Sequence, residues 1–354
     1  MLKKTLQFLG FLLLGGTIMY FVFTDQQQKY AEQCALKGHT DCSFTDKLIH
    51  DFSTIHLGWM AAVVLAFTVS IVLRALRWQM LLEPLGYKVK FHNSFLTIVF
   101  GYVVNLLFPR MGEVARAGAL ARYERLPVEK VMGTLVVDRL MDLVCMAVVV
   151  GLAFLTEGDT LLNFIGAKRG EGGGGLFSNP YFWGLIVLGV AGIGIWKFVS
   201  ERFRHVGIVR KINLLLSGFW EGLRSVFRMK NPGLFLLYSV GIWLMFYLQC
   251  WFNLKAFAPT AGLDMGAAAM VFVFGTLGMI IPSPGGMGTF HFLTTEGLKM
   301  YSIAEDDAFS YANIAFFSIQ ILYNIIAGLS AVLLLQVLNR KNKNNPADDE
   351  LSAN

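Results

Sequence analysis

Charge is what this sequence has least of. Asp, Glu, Lys and Arg make up 15% of its 354 residues, against about 25% in a soluble domain. In their place 55% of the residues are hydrophobic, 30 of them Phe. That deficit excludes an ordinary soluble protein with a large core and predicts an integral membrane protein. Linkers are missing as well. No Ser/Thr/Gln-rich or long low-complexity run divides the chain, and the biased stretch "GEGGGG" (170–175) reads as a loop. Cysteine is scarce, with four residues. Cys145 and Cys250 lie in apolar runs and read as packing residues. Cys34 and Cys42 share a polar loop and form either a disulfide, if that loop faces an oxidising compartment, or two separate thiols. Catalytic and metal signatures are absent: there is no H-E-x-x-H, no G-x-S-x-G, no Walker-type glycine loop and no Cys/His cluster at metal spacing. No catalytic residue, metal or cofactor is therefore expected. The net charge of +6 sits in a few loops, where in a membrane protein it records topology and contact with anionic headgroups; nucleic acid is not an expected partner.

What is present is a series of apolar runs of near-spanning length, about 20 residues. They fall at 5–23, 57–75, 131–155, 181–199, 233–256 and 310–338. The first follows Lys3 and Lys4 in the order of a signal peptide, but it is long and lacks a small-x-small cleavage site, so it reads as a span. Two further regions, 94–118 and 265–303, are apolar but broken by Pro and Gly. Lys and Arg decide the orientation. With Lys3 and Lys4 cytoplasmic, that side also collects Arg74, Arg77, Lys88, Lys90, Arg122, Arg125, Lys130, the basic 197–232 loop and the tail "RKNKNN". The other side keeps Lys29, Lys37 and Lys47 beside the acidic "AEDDAF".

This bookkeeping closes only if 94–118 enters and leaves on the cytoplasmic side and 265–303 on the opposite side. Both then become re-entrant hairpins, and irregular backbone at membrane depth is tolerated only where protein or a wet cavity surrounds it. The two also resemble each other. "FGYVVNLLFPRMGE" (100–113) and "FGTLGMIIPSPGG" (274–286) each run from Phe-Gly through apolar residues to Pro-x-x-Gly. Each lies between two spanning runs, which is the pattern of an inverted repeat with its binding site where the broken helices meet. The expected architecture is an all-α integral membrane protein, a single domain over 1–354 with about six full spans and two re-entrant hairpins. Its half-repeats cover about 57–155 and 233–338. Residues 24–56 form an extracytoplasmic loop, 200–232 a cytoplasmic connector and 339–354 a cytoplasmic tail. The connector alternates apolar and basic positions and is either a helix on the membrane surface or a solvated link.

Charges buried in a bilayer are costly and are functional candidates by default. Arg110, Gly112, Glu113 and Arg116 follow Pro109 at the first break, with Asn105 just before it. "VVDRLMDLV" places Asp138 and Asp142 on one helical face and Arg139 on a neighbouring one. Arg74 and Arg77 end a span, and the second break offers Ser283, Gly285, Gly286 and His291. Together they suit an anionic ligand. Half-helix N-termini present free N–H groups, glycines admit close approach, and Arg forks grip phosphate. The bland readings are equally concrete. In these, Arg139 with Asp138 or Asp142 is a salt bridge locking helices, Arg74 and Arg77 are a helix-end anchor, and His291 is a packing residue.

On "RALRWQMLL" (74–82), "NLLFPRMGEVARA" (105–117), "VVDRLMDL" (136–143) and "IPSPGGMGTFH" (281–291), the sequence resembles the family of lysylphosphatidylglycerol synthase transmembrane regions, or flippase-like domain proteins. The resemblance runs over roughly 57–338. It implies a polytopic inner-membrane protein whose counterpart in two-domain members moves an aminoacylated phospholipid across the bilayer. Because the chain ends at "RKNKNNPADDELSAN", the soluble synthase half is expected to be absent, which puts a lysyl-lipid substrate in doubt. The motif positions carried over are Asn105, Pro109, Gly112, Glu113, Arg116, Asp138, Arg139, Pro282, Gly285 and Gly286. The expected function is translocation of an anionic or zwitterionic lipid, either a phospholipid or a polyprenyl-phosphate-linked one. The rivals are an intramembrane enzyme or accessory acting on lipid-linked glycans, and a non-transporting scaffold. Membrane lipids and envelope- or lipid-synthesis enzymes are the expected partners.

Overall fold

The computed structural model describes residues 43–108, 111–169, 226, 229–281, 283 and 286–340, with single positions between 20 and 31. Among them there is no strand. Ten α-helices follow one another: α1 (Phe44–Ser53), α2 (Leu57–Leu82), α3 (Phe91–Leu107), α4 (Gly112–Glu124), α5 (Val128–Arg169), α6 (Pro232–Ala256), α7 (Met265–Ile280), α8 (Thr289–Lys299), α9 (Glu305–Phe316) and α10 (Asn324–Leu338). A π-helical stretch, Phe317–Tyr323, joins the last two into one continuous element. Among the described residues, three elements are long and apolar enough to cross a membrane: Leu57–Leu85, Pro232–Ala256 and Glu305–Leu338. Their outward side chains, among them Leu65, Leu237 and Leu329, are apolar and left largely exposed, as suits a hydrocarbon surround.

The two long apolar helices α2 and α6 form the most extensive helix pair. They run antiparallel, with Trp59 stacked on Phe252 at one end and the Arg77 Nη1 donating to Ser239 Oγ (3.2 Å) at the other. The buried stripe of α2 steps by three or four residues through Val63, Phe67, Ile71, Arg74, Trp78 and Leu81, the spacing of one helical face. Two of the inward positions on this helix, 74 and 77, are arginines.

Both Pro/Gly-broken regions fold as helical hairpins. In the first, α3 and α4 pack antiparallel, with Asn105 against Gly112 and Gly101 against Arg116. The approach is close enough that a Cβ on Gly112 would overlap the Gly101 carbonyl, which is why glycine stands there. In the second, the turn between α7 and α8 has Gly286 at φ +84° and Gly288 at φ +82°, values that side-chain-bearing residues avoid. Each hairpin packs on the long helix that follows the other one: α3 on α10, and α7 on α5. The packed pairs have a regular pattern. Exchanging α2 with α6, α3–α4 with α7–α8, and α5 with α9–α10 turns each major helix–helix pair into another pair that is also in contact.

The α5 helix is longer than the apolar run at 131–155. It continues through Glu157 to Arg169, roughly 63 Å in all at 1.5 Å per residue. Hydropathy ends the span at Glu157, but that carboxylate accepts from the Tyr301 hydroxyl (3.0 Å) and from Thr160 (3.2 Å). These bonds hold the polar extension of α5 against the segment that follows α8. On the described part of the 24–56 segment, α1 is capped by Ser43, whose Oγ accepts from the Asp46 N–H. It is tied to α9 by Lys47, which bridges Asp51 (2.7 Å) and Asp307 (2.7 Å). Burial alone would lower the Lys47 pKa, but hydrogen bonds and charge from Asp307 and Asp51 outweigh it, so the ammonium titrates above the ordinary lysine value. Cys34, Cys42 and most of the 200–232 connector lie outside the described residues, as does the tail beyond 340.

Candidate functional site

The site is built on α5. Four-residue spacing puts Asp138 and Asp142 on the inward face of that helix, 1% and 8% exposed. Two elements bring arginines to them. From α2, the Arg77 Nη2 donates to Asp138 Oδ1 (2.6 Å) and Asp142 Oδ1 (2.7 Å), and the Arg74 Nη1 donates to Asp142 Oδ2 (3.1 Å). From α4, the Arg116 Nη2 donates to Asp138 Oδ2 (3.2 Å). The fourth arginine, Arg139 on α5 itself, pairs with Glu113 of α4 (2.9 Å) and with Asp142 (3.3 Å). Aromatic faces cover the buried guanidiniums: Trp78 lies 5.1 Å from Arg116, Phe246 5.8 Å from Arg74 and Phe235 5.9 Å from Arg77. The Trp78 Nε1 donates in turn to Thr134 Oγ1 (3.0 Å), which fixes the ring under Arg116.

Four guanidiniums thus face three carboxylates, Asp138, Asp142 and Glu113. Among the described residues one positive charge is in excess; Arg74, Arg77, Arg116 and both aspartates are buried, Arg139 and Glu113 are half-buried, and the Nε atoms of Arg74, Arg77 and Arg116 have no hydrogen-bond partner. Isolated buried charge is expensive, so the cluster is electrostatically incomplete. It opens on a cavity of about 650 Å³. Arg74, Glu113, Arg116, Arg139 and Asp142 line that cavity, while Arg77 and Asp138 lie behind them.

The remaining candidates divide. Asn105 and Gly112 line the cavity, and the Gly112 N–H donates to Asn105 Oδ1 (2.7 Å). Asn105 therefore caps the first turn of α4 from across the hairpin. On the second hairpin, Ser283, Gly286 and His291 are not among the lining residues. Ser283 bonds the Thr289 hydroxyl (3.0 Å), which donates to the Gly278 carbonyl (2.7 Å). The His291 ring is 1% exposed, packs 4.8 Å from Phe316, and its Nδ1 accepts from the Gly288 N–H (3.4 Å). It caps and packs. Pro109, Arg110, Pro282 and Gly285 lie outside the described residues. Among the described residues no group of three or more His, Cys, Asp or Glu is placed to hold a metal ion.

The cavity also has a neutral polar wall that charge and helix breaks did not point to. Gln249 and Asn253 come from α6, and Gln320 and Asn324 from the π segment and the start of α10. The available signal was a pair of amides four apart inside each apolar run, "QCWFN" and "QILYN".

The family model described as "Lysylphosphatidylglycerol synthase TM region" matches residues 44–328. The UPF0104 membrane protein MJ1595 of Methanocaldococcus jannaschii is 37% identical over 84 residues, 23% of this chain and 25% of that one. Glycosyltransferase AglD of Haloferax volcanii is 26% identical over 314 residues, 78% of this chain and 49% of that one. The chain spans about half or less of the length of these relatives. No solved structure matches.

Proposed function

This chain belongs to the lysylphosphatidylglycerol synthase TM region family, and from that premise we propose that it is an inner-membrane lipid flippase acting on an anionic or zwitterionic lipid. The observation that carries the reading is the unbalanced arginine cluster on the cavity wall. A lipid phosphate supplies the missing negative charge and accepts the unused guanidinium donors of Arg116 and Arg74, with Arg139 shared between ligand and Glu113. Asp138 and Asp142 hold the forks in position from behind. The apolar surface around the cavity, including Phe67, Phe246, Phe272 and Phe316, suits the acyl or prenyl chain. In this reading α3–α4 and α7–α8 are re-entrant hairpins from opposite faces. The exchange pattern of helix contacts supports an inverted repeat, and a repeat that can rock about a central site is how many transporters alternate access. The termini are assigned to the cytoplasm by the excess of basic residues in the loops on that side.

The test is translocation of fluorescent-tailed phosphatidylglycerol and phosphatidylethanolamine in liposomes carrying the full chain. Arg116→Gln removes the excess charge but leaves Asp138 paired to Arg77, so the protein is expected to remain folded while translocation falls by about tenfold or more, the loss of one charge-assisted contact. Wild-type translocation no faster than in protein-free vesicles, or an unchanged rate in R116Q, refutes the proposal.

A second reading has its own observation. The Haloferax volcanii relative, matched over most of this chain, is named a glycosyltransferase, which favours a role beside enzymes acting on lipid-linked glycans. Glycan transfer by the purified chain alone would favour that reading over the flippase.

A further inference from the structure

The neutral wall of the cavity, taken with the charge of the cluster, selects a headgroup. Among the described residues, four neutral side chains of cavity-lining residues carry buried polar atoms without a hydrogen-bond partner: Asn253 Oδ1, Asn324 Oδ1, Thr294 Oγ1 and Trp243 Nε1. Asn253 and Asn324 are 2% and 1% exposed and Thr294 is 1%, so these are groups removed from water and still unsatisfied, a costly arrangement unless a ligand completes it. The two asparagines are held in matching fashion. The Asn253 Nδ2 donates to the Gln249 carbonyl (3.1 Å), and the Asn324 Nδ2 to the Gln320 carbonyl (3.4 Å) and side-chain Oε1 (3.2 Å), which in both cases leaves the amide oxygen as the unused atom. The wall lines the same cavity as Arg74, Arg116 and Arg139. Phe246, which stacks on Arg74, is followed on the same cavity-lining face of α6 by Gln249 and Asn253, about 5 and 10 Å farther along the axis at 1.5 Å per residue.

Unused amide oxygens call for hydrogen-bond donors, which ester carbonyls of a lipid backbone do not offer. Headgroup donors are of two kinds, hydroxyl and ammonium. An ammonium needs a counter-charge, and the wall has none. Among the described residues, the only carboxylates lining the cavity are Glu113 and Asp142, both ion-paired to Arg139, and Asp142 also to Arg74. The single excess positive charge of the cluster is cancelled by a monoanionic phosphodiester and is worsened by a cationic headgroup.

Building on the flippase reading, we infer that the ligand is a phosphodiester lipid with a hydroxylated, uncharged headgroup, a polyol or a sugar. The phosphate lies on Arg74, Arg116 and Arg139, and the hydroxyls on Asn253, Asn324 and Thr294. Zwitterionic and aminoacylated lipids are discriminated against.

The test is native mass spectrometry of the full chain titrated with lipids of identical dioleoyl chains. Phosphatidylglycerol is the hydroxylated monoanion, and phosphatidylmethanol the same monoanion without hydroxyls. Phosphatidylethanolamine and lysylphosphatidylglycerol carry the ammonium groups. Phosphatidylglycerol is expected to bind about tenfold tighter than phosphatidylmethanol, the worth of one to two well-made hydrogen bonds, and tighter than either ammonium lipid. The near-isosteric double substitution Asn253→Leu with Asn324→Leu brings phosphatidylglycerol down to the phosphatidylmethanol level, and Thr294→Val alone makes part of the same change. Arg116→Gln weakens both monoanions together. Equal binding of the two monoanions by the wild-type chain overturns the inference, as does tighter binding of either ammonium lipid or a preference that survives in the Asn and Thr variants. The headgroup preference without translocation in liposomes refutes the flippase reading and leaves this assignment standing; translocation without the preference does the reverse.

Discussion

Replacing Asp138 with Asn tests whether the buried charges act as one network. The Asp138 carboxylate is 1% exposed and meets Arg77 at 2.6 Å and Arg116 at 3.2 Å, with Arg74 and Arg139 each 3.8 Å away. The amide keeps the shape of the side chain and removes its charge, so four guanidiniums are left with Asp142 and Glu113. Removing one partner of a buried pair costs about 3–5 kcal/mol. Asp142 Oδ1 still holds the Arg77 Nη2 at 2.7 Å, which places D138N at the lower end, about 3 kcal/mol. At roughly 2–4 °C per kcal/mol for a chain of this size, the unfolding midpoint in detergent falls by about 6–12 °C. The assay is thermal unfolding of the purified chain followed by size-exclusion retention. Arg77→Met in the same chain removes the guanidinium that Asp138 held most closely. The double variant is therefore expected to be more stable than the sum of the two single losses by about 1–2 kcal/mol. A D138N midpoint within about 2 °C of the wild type, or losses that simply add in the double variant, refutes the reasoning.

Two further outcomes follow from the packing. Gly112→Ala forces its Cβ into the Gly101 carbonyl and the Asn105 amide, an overpacking cost of about 1–3 kcal/mol; Gly118→Ala on the same helix meets no atom within 4 Å and is expected to leave the midpoint unchanged or slightly raised. Equal midpoints for the two variants would mean that α3 and α4 do not approach as described. Lys47→Met removes the bridge from α1 to Asp306 and Asp307 of α9 and is expected to make α1 cleavable by added protease. Because the Lys47 pKa is raised on folding, its stabilisation is fully present below the ordinary lysine value of about 10.4 and is lost only above it. Protection of α1 in the wild type should therefore be flat from about pH 7 to 9. Lys47→Met protected as well as the wild type would remove the bridge from the account.

Much of the architecture was written in local pattern. Runs of apolar side chains set where long helices lie, because in a bilayer each helix must satisfy its own backbone and face hydrocarbon. The breaks at Pro109–Gly112 and Pro282–Gly288 set where the hairpins turn. The sequence by itself also determined that Glu113, Arg116, Asp138, Arg139 and Asp142 are charges out of place in such runs. It did not determine where α5 ends, since Glu157 is kept in helix by Tyr301, 144 residues away. Nor did it separate the candidates. His291 and Arg74 stand alike as polar residues in apolar stretches, yet one faces a packed aromatic pocket and the other the cavity. That difference, like the meeting of Arg74 and Arg77 with two aspartates more than 60 residues on and the convergence of two distant Gln/Asn pairs on one wall, comes from how helices pack. Hydropathy and helix-breaking act within a few residues of the chain, whereas net charge in a cavity is a sum over several helices, and only the tertiary structure performs that sum.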